Sequence, residues 1–164
     1  MSAQGDPVME GVEVRETRRG KFQVQVKAAS GTFLADEPDA VGGMGSGPTP
    51  YDLIGAALGA CTAMTVRLYA ERKGWPLETA EVRVVHRNGG RTSRDRFARE
   101  IVLEGPLTTE QRRRLLEIAE RCPVHQTLDR GVDIVTVLAE HPSPWRLDPE
   151  PVEHASAMEV ACAD

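Results

Sequence analysis

Aromatic side chains are scarce: three Phe, two Tyr and two Trp make up 4% of the 164 residues. A core must therefore be assembled from Val, Leu, Ile, Ala and Met. Positive charge is also short, with 20 Lys and Arg against 25 Asp and Glu and a formal net charge of −5. That balance weighs against nucleic acid as the principal partner, because phosphate contacts draw on a basic surface. No long apolar run is present either. The richest stretch, Leu53 to Met64, is broken by Gly and Thr and falls short of the ~20 residues a bilayer-spanning helix needs, so no membrane partner is expected. Met1 to Glu10 lacks a basic segment followed by an apolar run, so no signal peptide is expected and a cytoplasmic location follows. In that compartment three cysteines are expected to be reduced or catalytic, not a structural framework.

The length favours a single domain, large enough to bury roughly 70% of its unfolded surface without disulfides. We place that domain at 11–140, between an N-terminal tail, 1–10, and a Pro-containing, acidic C-terminal tail, 141–164. Val12 and Val14 share one face of residues 11–17, and Phe22, Val24 and Val26 share one face of 21–27. These runs flank Arg18-Arg19-Gly20 and predict a hairpin, with Thr32 to Ala35 as a third strand. Residues 36–48, rich in Gly, form a loop.

Thr49-Pro50-Tyr51-Asp52 is a helix start: a capping hydroxyl, a proline at the first turn, and a carboxylate near the positive end of the helix dipole. The helix should run to about Lys73 and stop at Gly74. Leu53, Ile54, Ala56, Ala57, Leu58 and Ala60 make its first half apolar almost all round, so it needs cover on several sides. A partner subunit is the natural cover. Residues 80–87 and 99–104 predict a second strand pair. Arg87, Arg91, Arg94, Arg96 and Arg99 mark a basic connection, read as a solvated hairpin in preference to an anion-attracting surface. Thr108-Thr109-Glu110-Gln111 matches the capping box of a helix to about Arg121. Pro123 ends that helix and opens another, and Val132 to Leu138 predicts a last strand. The order is α+β.

Cys61 lies mid-helix and shares its face with Ile54, Ala57, Leu58, Met64, Thr65 and Leu68. That setting suits a small, inert buried cysteine as well as a nucleophile. Cys122 directly precedes Pro123, where backbone N–H groups and the helix dipole favour a thiolate, the reactive form. A bare capping role fits the same place. His125 makes Cys122–His125 readable as nucleophile and base or as metal ligands. A zinc site wants four ligands, and no Cys-x-x-Cys accompanies the pair, so no metal or other cofactor is expected. Cys162 reads as incidental.

Two segments resemble the OsmC/Ohr family of osmotically inducible and organic-hydroperoxide-resistance proteins. They are Pro50-Tyr51-Asp52-Leu53-Ile54-Gly55-Ala56-Ala57-Leu58-Gly59-Ala60-Cys61-Thr62-Ala63-Met64 and Ala119-Glu120-Arg121-Cys122-Pro123-Val124-His125-Gln126-Thr127-Leu128. The Cys-Pro-Val-His form looks closest to the OsmC-like branch. The resemblance implies an OsmC-like fold, with antiparallel sheets wrapped around a long central helix in an intertwined homodimer. It implies that Cys61 is the peroxidatic cysteine, whose thiolate becomes a sulfenic acid, and that Cys122 resolves it to a disulfide. A dithiol such as a lipoylated protein would restore both thiols. A guanidinium from the N-terminal hairpin, here Arg18 or Arg19, would serve the thiolate, held by a carboxylate of the first helical turn. Tyr51 stands where the family has Glu, which leaves Asp52 as the nearest carboxylate.

The leading expectation is thus a cysteine-based hydroperoxide reductase of the oxidative stress response. Its alternative is a non-enzymatic OsmC-like dimer that binds a small apolar ligand or senses oxidant at its interface. A third reading, acyl transfer at Cys122 and His125, would need an oxyanion hole.

Overall fold

The computed structural model describes residues 11–140 and 154–163. They fall into two compact units, one holding residues 11–53 and 136–140, the other residues 54–135 and 154–163. The expected tail 1–10 and residues 141–153 lie outside the described residues.

In the first unit the alternating runs form the predicted meander. Strands β1 (Glu13–Glu16), β2 (Val24–Ala28) and β3 (Gly31–Ala35) make one antiparallel sheet in that order. The register sets Val14 opposite Val26 and Val26 opposite Phe33, so these apolar side chains share a face. Val26 is buried, while Val14 and Phe33 stay exposed. Arg18, in the β1–β2 connection, has φ 61, a left-handed conformation uncommon for a residue with a side chain. The Gly-rich loop folds around Asp36, whose Oδ2 accepts from the Ser46 hydroxyl at 2.7 Å and from the Met44 and Ser46 N–H groups at 3.2 and 3.3 Å. The Ser46 hydroxyl, helped by backbone N–H groups, holds Asp36 below the usual carboxylate range against its burial.

Helix α1 (Pro50–Arg72) begins in the first unit and continues from Ile54 in the second. The Asp52 N–H donates to Thr49 Oγ1 at 3.2 Å while the Thr49 N–H donates to Asp52 Oδ2 at 2.9 Å, a reciprocal cap. At the far end Gly74 has φ 64. The Trp75 N–H donates to Ala70 O at 2.9 Å and the Gly74 N–H to Glu71 O at 3.0 Å, the pattern that closes a helix on a left-handed glycine. By length and composition α1 would qualify to cross a membrane. Its Thr62, Thr65, Val66, Tyr69 and Ala70 are instead buried within the protein.

The second unit holds the antiparallel pair β4 (Thr79–Arg87) and β5 (Arg96–Glu104), followed by α2 (Thr109–Ala119), α3 (Pro123–Arg130) and α4 (His154–Ala161). The Thr108/Gln111 capping box forms as predicted. Strand β5 starts before residue 99 and alternates in burial, placing Phe97, Arg99, Ile101 and Leu103 on its less exposed face. The solvated-hairpin reading therefore fails for Arg99. Val66, Tyr69 and Ala70 of α1 pack with Leu115, Ile118 and Ala119 of α2 and with Leu77, Leu107 and Cys162. Each large apolar side chain so buried contributes about 1.5–3 kcal/mol. A smaller cluster joins Leu58, Cys61 and Cys122, with Val84, Phe97 and Val124 against it.

Two expectations need correction. Cys162 is not incidental: it is 5% exposed, belongs to the core and directs its Sγ to Thr65 O at 3.6 Å, just past the end of α4. Val132 to Leu138 forms no strand among the described residues, and Val132, Ile134, Val135, Val137 and Leu138 are all exposed. An apolar alternating run becomes a strand only beside a neighbour that completes its hydrogen bonds and packing.

Gly105 closes the turn after β5 with φ 121, and a Cβ there would stand 2.2 Å from Pro76 O. Gly105→Ala should destabilise the fold by about 1–3 kcal/mol, seen as a lowered Tm in a thermal melt followed by circular dichroism. An unchanged Tm would show that the turn relaxes freely.

Candidate functional site: a buried thiol pair

The apolar, small-residue face of α1 places Cys61 against the start of α3, where Cys122 is the N-cap. Both are almost fully buried, 2% and 0% exposed. The two cysteines pack together in one small apolar cluster and are not joined in a disulfide.

The two sulfurs have unequal surroundings. Cys122 Sγ accepts from the His125 N–H at 3.4 Å, the first-turn donor that Pro123 orients by opening α3. It also lies 3.6 Å from Thr62 Oγ1 and 3.9 Å from Arg99 Nη1. Thr62 has one hydroxyl proton for two neighbours, Cys122 and Leu58 O at 2.7 Å, so the unconditional donors are the His125 N–H and the guanidinium. Cys61 Sγ accepts from the Val124 N–H at 3.4 Å and lies 3.2 Å from His154 Nε2.

The pair therefore shares its proton unevenly. The hydrogen bond from the Cys61 thiol, together with the His125 N–H, Thr62 and Arg99, outweighs burial and brings Cys122 down to about 5. The same bond to a charged neighbour, followed by burial, pushes Cys61 well above the usual thiol range. A buried pair this close resists a second negative charge. The surroundings thus favour charge on Cys122 and the proton on Cys61.

Arg99 comes from β5 with its side chain only 8% exposed. Its Nη1 donates to Thr62 Oγ1 at 2.6 Å, and its Nη2 donates to Glu120 Oε1 at 3.0 Å and lies 3.5 Å from His125 Nδ1. His125 Nε2 lies 3.5 Å from Glu120 Oε2. The His125 ring thus engages Arg99 and Glu120, and only its backbone N–H serves Cys122. Among the described residues no group of three or more His, Cys, Asp or Glu is arranged to hold a metal ion.

Of the residues singled out in the sequence, Cys61 and Cys122 are brought together. Asp52 is committed to the cap of α1, where the Thr49 N–H and hydroxyl hold its carboxyl below the usual range. Arg18 and Arg19 sit at the hairpin of the other unit, with the Arg19 N–H on Thr17 Oγ1 at 3.2 Å. Sequence reasoning missed Arg99, Thr62, Glu120 and His154. For Arg99 a signal existed: Phe97, Arg99, Ile101 and Leu103 alternate in step, which puts the guanidinium on the apolar face of a strand.

A family model described as OsmC-like protein matches residues 43–137, more than half the chain. The chain belongs to the OsmC-like protein family. No curated protein matches it. Among solved structures, this OsmC-like chain resembles the OsmC-like protein of Mycoplasma pneumoniae at TM-score 0.63 and 16% identity, covering 73% of this chain and 86% of that one. It resembles an organic hydroperoxide resistance protein of Legionella pneumophila at TM-score 0.55 and 20% identity, covering 71% and 86%. For the organic hydroperoxide resistance protein OhrB of Bacillus subtilis the values are 0.52 and 20%, with 71% and 87% covered. At these identities the likeness is one of fold.

The linkage has a definite sign. A thiol lowered on folding stabilises the native state above its unfolded value of about 8.5, and that contribution is lost as pH falls toward about 5. Titration of thiolate ultraviolet absorbance should show one group with a midpoint near 5. Cys122→Ser should remove that transition and Arg99→Met should move it upward, toward the ordinary cysteine range. A first midpoint at the ordinary thiol value would refute the uneven sharing.

Proposed function

We propose that this OsmC-like protein is a thiol-dependent peroxidase that reduces organic hydroperoxides, with Cys61 and Cys122 as its redox pair. The observation that carries the reading is two buried cysteines packed side by side, with the Cys122 thiol lowered and the Cys61 thiol raised by their unequal surroundings. Cys61 sulfur attacks the terminal peroxide oxygen, the O–O bond breaks and the alkoxide leaves, which makes Cys61 a sulfenic acid. The Cys122 thiolate then attacks Cys61 Sγ, forms the disulfide and expels hydroxide, which leaves as water. One hydroperoxide and two thiols thus give one alcohol, one water and one disulfide. A cellular dithiol, such as a lipoylated protein, returns both thiols by exchange. This cycle suits the cytoplasm, where thiols are kept reduced.

The order, Cys61 first and Cys122 second, follows the family resemblance; a lowered Cys122 pKa keeps the second sulfur ready as a thiolate for the resolving attack. Leu58, Val84, Phe97 and Val124 around the pair suit an alkyl substituent better than a bare polar peroxide. The fold shared with organic hydroperoxide resistance proteins of Legionella pneumophila and Bacillus subtilis supports the substrate class. The exposed apolar side chains Met64, Val132, Ile134 and Leu138 support a homodimer, which a monomeric mass in sedimentation would dismiss. One observation favours the alternative of a slow oxidant sensor or ligand-binding dimer: the raised pKa of Cys61, which slows attack.

Consumption of an alkyl hydroperoxide with a dithiol reductant separates the two. Cys61→Ser should lower turnover at least about a thousandfold. Cys122→Ser should permit one oxidation per site and then stall. If Arg18, Arg19 and Asp52 polarise the peroxide as the family resemblance implies, Arg18→Ala/Arg19→Ala and Asp52→Asn should each lower kcat/KM. Full turnover in Cys61→Ser would end the peroxidase reading.

A further inference from the structure

The peroxidase reading leaves Cys61 carrying the proton that its attack on peroxide must shed. We infer that His154, the first residue of α4, is a further catalytic residue that takes this proton and returns it to the departing alkoxide. The inference borrows its substrate from the reading above, but the proton transfer at Cys61 stands on its own geometry.

His154 Nε2 lies 3.2 Å from Cys61 Sγ, within reach for direct transfer to or from sulfur. The residue is exposed while Cys61 is 2% exposed, so the imidazole connects a buried sulfur to bulk water. Its position is fixed from the other end of the helix. Cys162 Sγ reaches Thr65 O at 3.6 Å, and Thr65 Oγ1 donates to Cys61 O at 2.7 Å, so α4 is anchored one turn of α1 away from the reacting cysteine. Arg72 adds a bond from Nη1 to Glu159 O at 3.3 Å and a looser ion pair with the Glu159 carboxylate at 3.7 Å. The other ionisable groups near the pair are otherwise engaged: Arg99, Glu120 and the His125 ring bond to one another and face Cys122. His154 lies beyond residues 43–137, the part of the chain that the family model matches, so the device belongs to this chain's own C-terminal helix.

The steps balance. His154 Nε2 takes the Cys61 proton as the sulfur attacks the terminal oxygen of ROOH: the S–O bond forms while the O–O bond breaks, so the developing negative charge passes to the departing alkoxide and no second thiolate stands beside Cys122. The imidazolium then gives its proton to RO⁻. Cys61–SH and ROOH become Cys61–SOH and ROH, and His154 is neutral again. Meanwhile Cys122 keeps its own charge for the resolving attack. One base and one pre-formed thiolate thus divide the work of a pair that cannot hold two negative charges at once.

The test uses the full chain carrying Cys122→Ser, so that Cys61 reacts alone, with iodoacetamide as the probe and the adduct located by peptide mass. His154→Ala should slow alkylation of Cys61 near pH 7 by about tenfold or more with an unchanged Tm, and free imidazole should restore part of the rate. His154→Gln should be equally slow and, with the space filled, insensitive to imidazole. Rates within about twofold of the parent in both variants would overturn the inference, as would a slowing that tracks a lowered Tm and ignores imidazole. Hydroperoxide turnover of the unsubstituted chain separates the two claims. If alkylation depends on His154 but no hydroperoxide is consumed, the proton role holds and the peroxidase reading fails. If hydroperoxide is consumed at the same rate with and without His154, this inference alone fails.

Discussion

Two buried sulfurs packed together in unequal surroundings are the constraint on which this site depends. A thiolate stripped of water is costly, and the cost at Cys122 is offset by groups drawn from three elements. Cys61 and Thr62 approach from α1, the His125 N–H from the first turn of α3, and Arg99 from β5. The His125 N–H and the Arg99 guanidinium serve Cys122, whereas Cys61 has the Val124 N–H and the His154 ring, so the pair is polarised toward charge on Cys122. A symmetric pair would have no such division, and the order of events in a redox cycle would be left undetermined.

Arg99 is the element that ties the arrangement to the fold. It leaves the apolar face of β5 beside Phe97, so its stem lies under the sheet while its fork reaches Thr62, Glu120 and Cys122. A guanidinium stays charged at any working pH and offers its N–H groups in a fixed plane, which suits a site that must hold a hydroxyl, a carboxylate and a sulfur at once. Lysine could supply the charge but not the three directions. The half-exposed Glu120 keeps the guanidinium oriented without fully neutralising it.

Much of this was legible in the residues. The reciprocal cap at Thr49 and Asp52, the Gly74 stop, the Thr108/Gln111 capping box and Cys122 at the head of α3 are local patterns, and local patterns survive folding. That Cys61 and Cys122 share a site was legible only through the family resemblance, since they are far apart in the chain. Arg99 was lost to a strand boundary drawn three residues late, which turned an inward side chain into part of a basic loop. His154 and Cys162 follow a segment without periodicity, and nothing local reveals that a helix so placed returns to Cys61 and Thr65. Val132 to Leu138 shows the converse: the strand pattern is present, but the neighbour that would make it a strand is not among the described residues of this chain.

The central claim is that Cys61 and Cys122 form one redox unit while Cys162, though buried in the adjoining core, stands outside it. Peptide mapping under non-reducing conditions, after the reduced protein meets one equivalent of an alkyl hydroperoxide, decides this most directly. A single Cys61–Cys122 linked peptide should form within one chain, with Cys162 still free. A product in which Cys61 is bonded to Cys162, or in which Cys61 and Cys122 are oxidised without ever joining, would contradict it.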